Sequence, residues 1–422
     1  MGGSGPDRHD IDTLLQNLSP GILQARTLAR RLEQIILDMG DGISEALYRR
    51  ARDAVVRGNQ EFIIADADNE RVLRQLMRQG PPVTASAPNR PDIGLPGDPR
   101  PLRNMWENLS FSDREELFRL DPFLGNRNGI PQADRDFYNR RTLDALLAQA
   151  RQSNDGTRAE NYTGIARMLD ESGAGPSRFY LTHLDNDGGL AFSLDNPDFA
   201  DNTAVLLQPA HQPGRALDYA RSTVEQLRQV ALRAAPNSRT SVSFWGAYDQ
   251  PESMVQSMFP QFAQDGAARV REYHEGLRAT HEGAPAHTAT IGHSYGSVLA
   301  GHSAGHGSTL DTDDLVFMGS WGTGANHVSQ LRLAGVSPER TGEHVFATIA
   351  TSDYVQLMPG THGPLPTDRA FGATAFDSSS RFSGFWNPLD HAAESYLHSA
   401  NPASGNIGLV ITGHGDLVAR PA

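Results

Sequence analysis

The sequence predicts an α/β protein in which a mostly parallel β-sheet carries helices on both faces and a helical region precedes it. Two observations predict this class. Short apolar, β-branched runs alternate with longer helical patterns after residue 176, which is the order of βαβ units. One of these runs, 288–291, leads into Gly292-His-Ser-Tyr-Gly296 and then into a small-residue segment suited to a helix.

The segment 286–301 therefore has the order strand, sharp turn, helix around a Gly-x-Ser-x-Gly pentapeptide. This order is required by the nucleophile elbow of an α/β-hydrolase. The turn holds its central serine in strained backbone geometry, so the residues two before and two after it must be small. Gly292 and Gly296 meet that requirement, and Ser294 is the predicted nucleophile.

The chain has 422 residues, a net charge of −13 and no cysteine. Its length exceeds that of a usual single domain, so two domains, or one large domain with an appendage, are expected. The acidic residues are spread along the chain, which argues against nucleic acid or an anionic membrane as the main partner. The lack of cysteine excludes disulfides, cysteine-ligated zinc and thiol catalysis.

No apolar run in the sequence approaches the roughly 18 residues that cross a bilayer. The N-terminal residues 1–10 are polar and rich in glycine, without a hydrophobic signal core. We therefore expect a cytoplasmic protein with no transmembrane segment, and export by a route other than Sec stays open.

Three parts are predicted along the chain: a helical region over 1–79, a linker over 80–104 and an α/β-hydrolase domain over 105–422. Within that domain, 105–175 is expected to be a helical lead-in and 176–422 the sheet core. The linker is predicted to be extended and free of helix because proline and glycine are dense in it.

The first part carries apolar residues at helical spacing, as in Ile22, Leu23, Leu28, Leu32, Ile35, Ile36 and Met39. Two similar stretches follow, which predicts three short amphipathic helices. They hold no constellation of chemically active side chains, so we expect a structural appendage or a docking site for a protein partner. In the lead-in, Ser112 followed by Glu115 has the spacing of a capping box and predicts a helix start.

Seven apolar runs are predicted to be strands, in the order 178–184, 189–194, 203–207, 241–245, 288–291, 315–318 and 345–351. The glycine-containing segment 185–189 predicts a hairpin between the first two. An antiparallel start followed by βαβ units places the elbow after the fifth strand, as the α/β-hydrolase fold requires.

A serine is a poor nucleophile unless a base takes its proton, and that base needs an acid to orient it. In an α/β-hydrolase the acid and then the histidine follow the serine in the chain. Asp353 is the predicted acid because it comes just after the strand 345–351. The rival carboxylates are Asp249, Asp313, Asp314, Asp368 and Asp390.

His391 is the predicted base because it lies in an aromatic and turn-rich loop after a short apolar run, where it can fold back over the sheet. The rival histidines are His362, His398 and His414. His302 and His306 are four residues apart and could share one helical face as metal ligands, but no carboxylate motif accompanies them, so a helix-surface position is favoured. His293 precedes the nucleophile and is expected to pack beside the elbow.

Catalysis at Ser294 also requires donors for the oxyanion. The backbone N–H of Tyr295 is one, and the second is expected from the loop 208–214 after the third strand. Ala210 or His211 is the predicted residue there.

Several segments in order resemble an actinobacterial α/β-hydrolase family of unknown function whose members carry a Gly-His-Ser-Tyr-Gly-Ser elbow, here Gly292 to Ser297. The similar segments are 125–135, 245–251, 358–364 and Asp390-His391 leading to a terminal Val-Ile-Thr-Gly. The resemblance covers about 106–413 and supports Asp353 and His391. Where similar proteins carry Pro-Gly-Thr after the third strand, this chain has Pro209-Ala-His211.

These features together predict a serine hydrolase that cleaves an ester-type bond of a small or lipid-like acyl substrate through an acyl-enzyme, without a cofactor. A thioester or amide substrate stays open. The alternative is a catalytically inactive binding protein on the same scaffold, since fold does not guarantee chemistry. A secreted effector whose helical region docks a partner is a further alternative.

Overall fold

A computed structural model describes residues 93–171, 177–186, 188–210, 216–251, 256–357, 362–379 and 388–419. These residues all fall within one unit, Asn89–Ala422. The predicted helical region 1–79 and most of the predicted linker lie outside the described residues, so the division into parts stays a prediction.

Eight strands of the described chain form one sheet: β1 Phe179–Leu184, β2 Leu190–Leu194, β3 Asn202–Leu207, β4 Thr240–Gly246, β5 His287–His293, β6 Asp314–Met318, β7 Val345–Thr348 and β8 Thr374–Ala375. Their spatial order is β1-β2-β4-β3-β5-β6-β7-β8. β2 pairs antiparallel with both β1 and β4, and every later pair is parallel. Each of the seven predicted strands overlaps an observed one.

The helices of the described chain are α1 Pro99–Glu107, α2 Phe111–Leu120, α3 Gln132–Gln152, α4 Gly156–Glu171, α5 Ala216–Ala234, α6 Gln261–Thr280, α7 Tyr295–Ala304, α8 Ala393–Leu397 and α9 Pro402–Ile411. None of them has the length and hydropathy needed to cross a bilayer.

The sheet is buried on both faces, and each face has its own apolar core. Leu206 and Ile291 belong to a cluster that includes residues of α5 and α9. Their neighbours in the strands, such as Leu207, belong to a second cluster with residues of α6 and α7. A strand that is covered on both faces is a near-continuous apolar run in the sequence, which makes its position predictable. The register aligns Leu207 with Gly292, so the ends of β3 and β5 meet at one edge.

Helix α1 corrects the prediction that the proline-rich linker 80–104 contains no helix. Asp98 caps the helix by accepting a hydrogen bond from the N–H of Arg100 at 3.1 Å, and Pro99 is its first residue. Proline is tolerated in a first turn because the N–H groups there have no intrahelical partner. The helix buries Leu102 and Trp106.

The capping box of α2 is two residues earlier than predicted. Ser110 is the cap, its hydroxyl accepts from the N–H of Asp113 at 3.2 Å, and the Asp113 carboxylate accepts from the N–H of Ser110 at 3.0 Å. Asp113 therefore has the role that the sequence assigned to Glu115. Ser110–Asp113 and Ser112–Glu115 both have the spacing of a capping box, and only the first pair stands at the start of the helix.

Candidate active site

Ser294 lies between β5 and α7 with φ 54° and ψ −126°, a left-handed conformation that a non-glycine residue rarely adopts. The turn is tight on both sides. A Cβ at Gly292 would lie 2.6 Å from the Cα of Ser297, and a Cβ at Gly296 would lie 2.4 Å from the carbonyl oxygen of Leu207. Both glycines are therefore required by close backbone approach, as the sequence predicted.

The structure brings Ser294, His391 and Asp353 into one hydrogen-bonded chain. The Ser294 Oγ lies 2.9 Å from His391 Nε2. The other ring nitrogen, His391 Nδ1, lies 2.8 Å from Asp353 Oδ2 and 3.0 Å from Oδ1. A carboxylate only accepts, so Nδ1 carries the proton and Nε2 presents its lone pair to the serine hydroxyl.

Asp353 follows β7 and is fully buried. Its Oδ1 accepts from the N–H of Val355 at 3.0 Å, and its Oδ2 accepts from the Tyr396 hydroxyl at 2.5 Å. The Tyr396 oxygen in turn accepts from the N–H of Ala350 at 3.1 Å. Burial, and then the charge of Asp353, raise the pKa of the Tyr396 phenol well above its usual value, so it remains a donor. These bonds fix the carboxylate's orientation toward His391.

Gly319, directly after β6, lies against the same pair with φ 57°. A Cβ at Gly319 would lie 3.2 Å from Asp353 Oδ2, 3.2 Å from the Tyr396 hydroxyl and 3.4 Å from His391 Cε1. The glycine therefore leaves room for Asp353 and His391 to meet.

His293, the last residue of β5, packs beside the elbow as predicted. Its Nε2 lies 2.8 Å from the backbone carbonyl of His391, and its Nδ1 lies 2.8 Å from the hydroxyl of Tyr219 on α5. Burial, and then the proximity of His391, lower the pKa of His293 to about 3. The ring is therefore neutral at any ordinary working pH.

The rival carboxylates all have other surroundings. Asp390 is buried and accepts from the hydroxyls of Ser352 and Ser395. Asp313 pairs with Arg278, and Asp314 lies between His287 and His344. Asp249 and Asp368 are exposed.

The rival histidines are likewise elsewhere. His362 is buried beside the ring of Tyr295, and its Nε2 lies 2.7 Å from the carbonyl oxygen of Ser257. Burial lowers the pKa of His362 to about 4. His414 is exposed near the end of the described chain, and His398 accepts from the N–H of Ala400 at 3.2 Å.

The predicted oxyanion donors are only partly described. Tyr295 is the first residue of α7, where a backbone N–H has no partner within its own helix. Ala210 comes three residues after β3, is half-buried and packs against the core on the α7 side of the sheet. His211 lies outside the described residues.

The rings of His302 and His306 stack, with centroids 4.5 Å apart and planes 8° apart. His302 is buried rather than on the helix surface, and burial lowers its pKa to about 4. The predicted helix-surface position is therefore wrong for His302, which is covered by the loop around Gly324, and His306 is exposed but lies in the turn after α7. The described residues include no group of three or more His, Cys, Asp or Glu side chains placed to bind a metal.

Three residues at the site escaped sequence reasoning: Tyr396, Gly319 and Tyr219. Tyr396 follows His391 by five residues on α8, and this short separation is a usable signal for a group near His391. Tyr219 and Gly319 come from elements distant in the chain, and their proximity depends on how α5 and the end of β6 pack.

Comparison with known proteins adds a family match. Residues 188–362 match a family model described as an alpha/beta hydrolase. An uncharacterized protein of Mycobacterium tuberculosis is 26% identical over 472 aligned positions, covering 98% of this chain and 68% of that protein. A second uncharacterized protein of the same organism is 34% identical over 127 positions, covering 29% of this chain and 44% of that protein.

Among solved structures, this chain is similar to a hyperthermophilic esterase from Pyrobaculum calidifontis, with 13% identity, a TM-score of 0.36 and coverage of 66% of this chain and 98% of that one. It is also similar to a carboxyl esterase from Tuber melanosporum, with 12% identity, a TM-score of 0.35 and coverage of 58% and 89%. The chain has the α/β-hydrolase fold, and its residues 188–362 carry the sequence pattern of the alpha/beta hydrolase family.

Proposed function

We propose that this protein is a serine hydrolase that cleaves an ester-type acyl bond through an acyl-enzyme. The single observation that carries the proposal is the continuous hydrogen-bonded chain from Ser294 Oγ through His391 to Asp353, with contacts of 2.9 and 2.8 Å. A nucleophile, a base and an orienting acid within hydrogen-bond reach are the combination that activates a serine hydroxyl.

In the first half-reaction the Ser294 oxygen attacks the acyl carbonyl carbon, and its proton passes to His391 Nε2. The carbonyl oxygen takes up the negative charge. The tetrahedral intermediate then expels the alcohol, which receives the proton held by His391. Water repeats the sequence on the acyl-enzyme and releases the acid, so protons balance and no cofactor is consumed.

Asp353 stabilises the imidazolium that forms in each half-reaction. It is fully buried and its oxygens accept from Val355 and Tyr396 as well as from His391. A carboxylate held by three donors keeps its orientation while the ring beside it gains a proton.

The oxyanion is assigned to the N–H of Tyr295 and a second N–H from Ala210 or His211. The positive end of the α7 dipole lies at Tyr295 and favours a negative charge there. The substrate class proposed is an ester of a small or lipid-like acyl group, because an alcohol is a far better leaving group than the amine of an amide.

Labelling with a fluorophosphonate probe tests the nucleophile. Such probes react only with an activated serine, so the wild-type protein should label and Ser294→Ala should not. In parallel, hydrolysis of p-nitrophenyl esters should fall by at least about 10³-fold in Ser294→Ala, in line with the loss of a triad member in other serine hydrolases. Equal labelling of the two proteins, or no labelling of either, would contradict the proposal and favour a non-catalytic binding role.

The base is tested by a matched histidine pair. His391→Ala should lose activity to a similar degree as Ser294→Ala, because removing either member disables the same unit. His414→Ala is the control, since His414 is exposed and its ring lies beside Thr412 rather than Ser294. Full activity in His391→Ala, or a comparable loss in His414→Ala, would overturn the assignment of His391.

A further inference from the structure

The base of the proposed triad is carried by a short segment. His391 ends a single 3-10 turn, Pro388–His391, and α8 begins only at Ala393. A turn of four residues has little hydrogen bonding of its own, so its position depends on contacts with its surroundings. The side chain of Asp390 supplies one such contact through Ser352 and Ser395. The main chain of His391 receives another, from His293.

His293 makes two hydrogen bonds that together fix which nitrogen holds its proton. A carbonyl oxygen only accepts, so the nitrogen 2.8 Å from the His391 carbonyl, Nε2, must carry the hydrogen. The neutral ring then presents Nδ1 as an acceptor, and the Tyr219 hydroxyl donates to it at 2.8 Å. Both nitrogens of a buried neutral imidazole are thereby satisfied, with one specific tautomer.

The rings around His293 are also in contact. Its centroid lies 5.0 Å from that of His391 and 5.9 Å from that of Tyr219. Ring contacts of this kind require an aromatic side chain but no polar atom. Packing therefore does not account for an imidazole whose two nitrogens each meet a matched partner, one of them the main chain of the base.

We propose that His293 is a positioning residue that holds the main chain of His391 against the nucleophile elbow and so keeps the base aligned with the Ser294 hydroxyl. The inference rests on the proposed function. His293 precedes Ser294 in the chain, so the same strand end that presents the nucleophile also sets the position of the base. Tyr219 orients His293 from α5 and is the outer member of this chain of contacts.

The test compares two substitutions of His293. His293→Phe keeps the ring but removes the donor, and it should lower kcat for p-nitrophenyl acetate by about 10- to 100-fold, as expected when a reacting group is displaced by a fraction of an ångström to 1 Å. KM should change by less than about twofold, because His293 is not expected to contact substrate. His293→Gln places an amide N–H near the position of Nε2 and should keep kcat within about fivefold of the wild type.

Tyr219→Phe is a second, milder probe of the same contacts, and it should lower kcat with KM unchanged. In the double variant with His293→Phe, the Tyr219 substitution should have little further effect, because its influence passes through His293. His414→Gln controls for replacing a histidine by glutamine. If His293→Phe fails to fold, the inference is judged by Tyr219→Phe, and an unchanged kcat in that variant would contradict it.

Two results would overturn the inference: kcat of His293→Phe within twofold of the wild type, or an equal loss in His293→Phe and His293→Gln. Failure of the proposed function is distinguishable, since it would appear as an unlabelled wild type or as Ser294→Ala with full activity. A labelled wild type with an inert Ser294→Ala and a fully active His293→Phe would contradict only the role of His293.

Discussion

Gly319 illustrates how tightly the proposed acid and base are enclosed. It has φ 57°, and the position of a Cβ there lies 3.2 Å from both Asp353 Oδ2 and the Tyr396 hydroxyl. A side chain would be unfavourable in two ways: its backbone would be strained at this φ, and its Cβ would crowd the contact between Asp353 and His391. The residue next to the proposed acid and base is therefore restricted to glycine by both backbone conformation and space.

Gly319→Ala should lower the free energy of unfolding by about 1–2 kcal/mol, because an L-residue in the left-handed region is strained. It should also reduce kcat, since Asp353 or Tyr396 must shift to admit the methyl group. Gly405→Ala is the matched control: Gly405 is exposed within α9, and a Cβ there has no neighbour within 4 Å. That variant should be more stable by about 0.5–1 kcal/mol and fully active. Guanidinium unfolding and ester hydrolysis measure both effects, and an unchanged Gly319→Ala would contradict this account of the glycine.

The residues of the site differ in how far sequence could predict them. Asp353 and His391, which lie within hydrogen-bond reach of each other, can be singled out from sequence because chain order in this fold restricts the proposed acid and base to a few positions. Ala210 was predicted from its position after the third strand. Tyr396, Tyr219 and Gly319 act through contacts between elements that are far apart in the chain, and no local pattern marks such contacts.

At the scale of elements, Asp198 joins three of them. It lies in the turn Pro197–Phe199, accepts from the N–H of Gln132 at the start of α3 at 2.7 Å, and accepts from the hydroxyl of Thr280 at the end of α6 at 2.6 Å. Burial raises the pKa of its carboxyl from 3.8 to about 6, against the lowering effect of those hydrogen bonds. The protonated form is therefore the one that the fold favours.

This raised pKa predicts a specific pH dependence. Stabilisation from protonated Asp198 is fully present below about pH 4 and is lost as the pH rises through 6, amounting to on the order of 3 kcal/mol of unfolding free energy. Asp198→Asn lacks this titration, so its stability relative to the wild type should improve from pH 4.5 to 7.5. Guanidinium unfolding across that range measures the difference.

Asp201→Asn is the control of opposite sign. The side-chain hydrogen bond from Arg239 is the main cause of a lowered pKa for Asp201. Its stabilisation is therefore present at neutral pH and lost as the pH falls, so the disadvantage of Asp201→Asn should shrink toward low pH. If the unfolding free energies of the wild type and Asp198→Asn changed with pH in parallel, the role given to Asp198 would be contradicted.

The strands can be predicted from the sequence more readily than the starts of the helices, for physical reasons. The strands are buried on both faces and read as apolar runs bounded by turn residues, which sequence reveals directly. Helix α1 is hard to predict because a high density of proline usually indicates a break in helical structure. Pro99 stands where the missing N–H costs nothing, and only the cap at Asp98 signals this. The shifted capping box at Ser110 shows that spacing alone does not choose between overlapping pairs.

At the scale of the molecule, one sheet separates two apolar cores and carries the site at one edge. Ile291, in the strand that presents Ser294, is fully buried in the core on the α5 side. Ile291→Ala should therefore cost about 2–5 kcal/mol of unfolding free energy, and a lower guanidinium midpoint with an unchanged m-value is expected.

Leu417→Ala is the comparison, because Leu417 is 61% exposed and should change stability by less than about 0.5 kcal/mol. Similar midpoints for the two variants would show that β5 is not part of the cooperative core. A changed m-value in Ile291→Ala would show instead that the described sheet does not unfold as one unit.

The strand order also bears on how the protein is made. The first five strands of the chain are contiguous in the sheet, in the order β1-β2-β4-β3-β5. They can therefore assemble while the rest of the chain is still being translated. His391 follows Ser294 by 97 residues, which takes roughly 5–20 s to synthesise at 5–20 residues per second. Throughout that interval the elbow exists without its base. On the proposed function, a nascent chain that has not yet reached His391 therefore carries an unactivated serine, and hydrolytic activity appears only after His391 has been added and has left the ribosome.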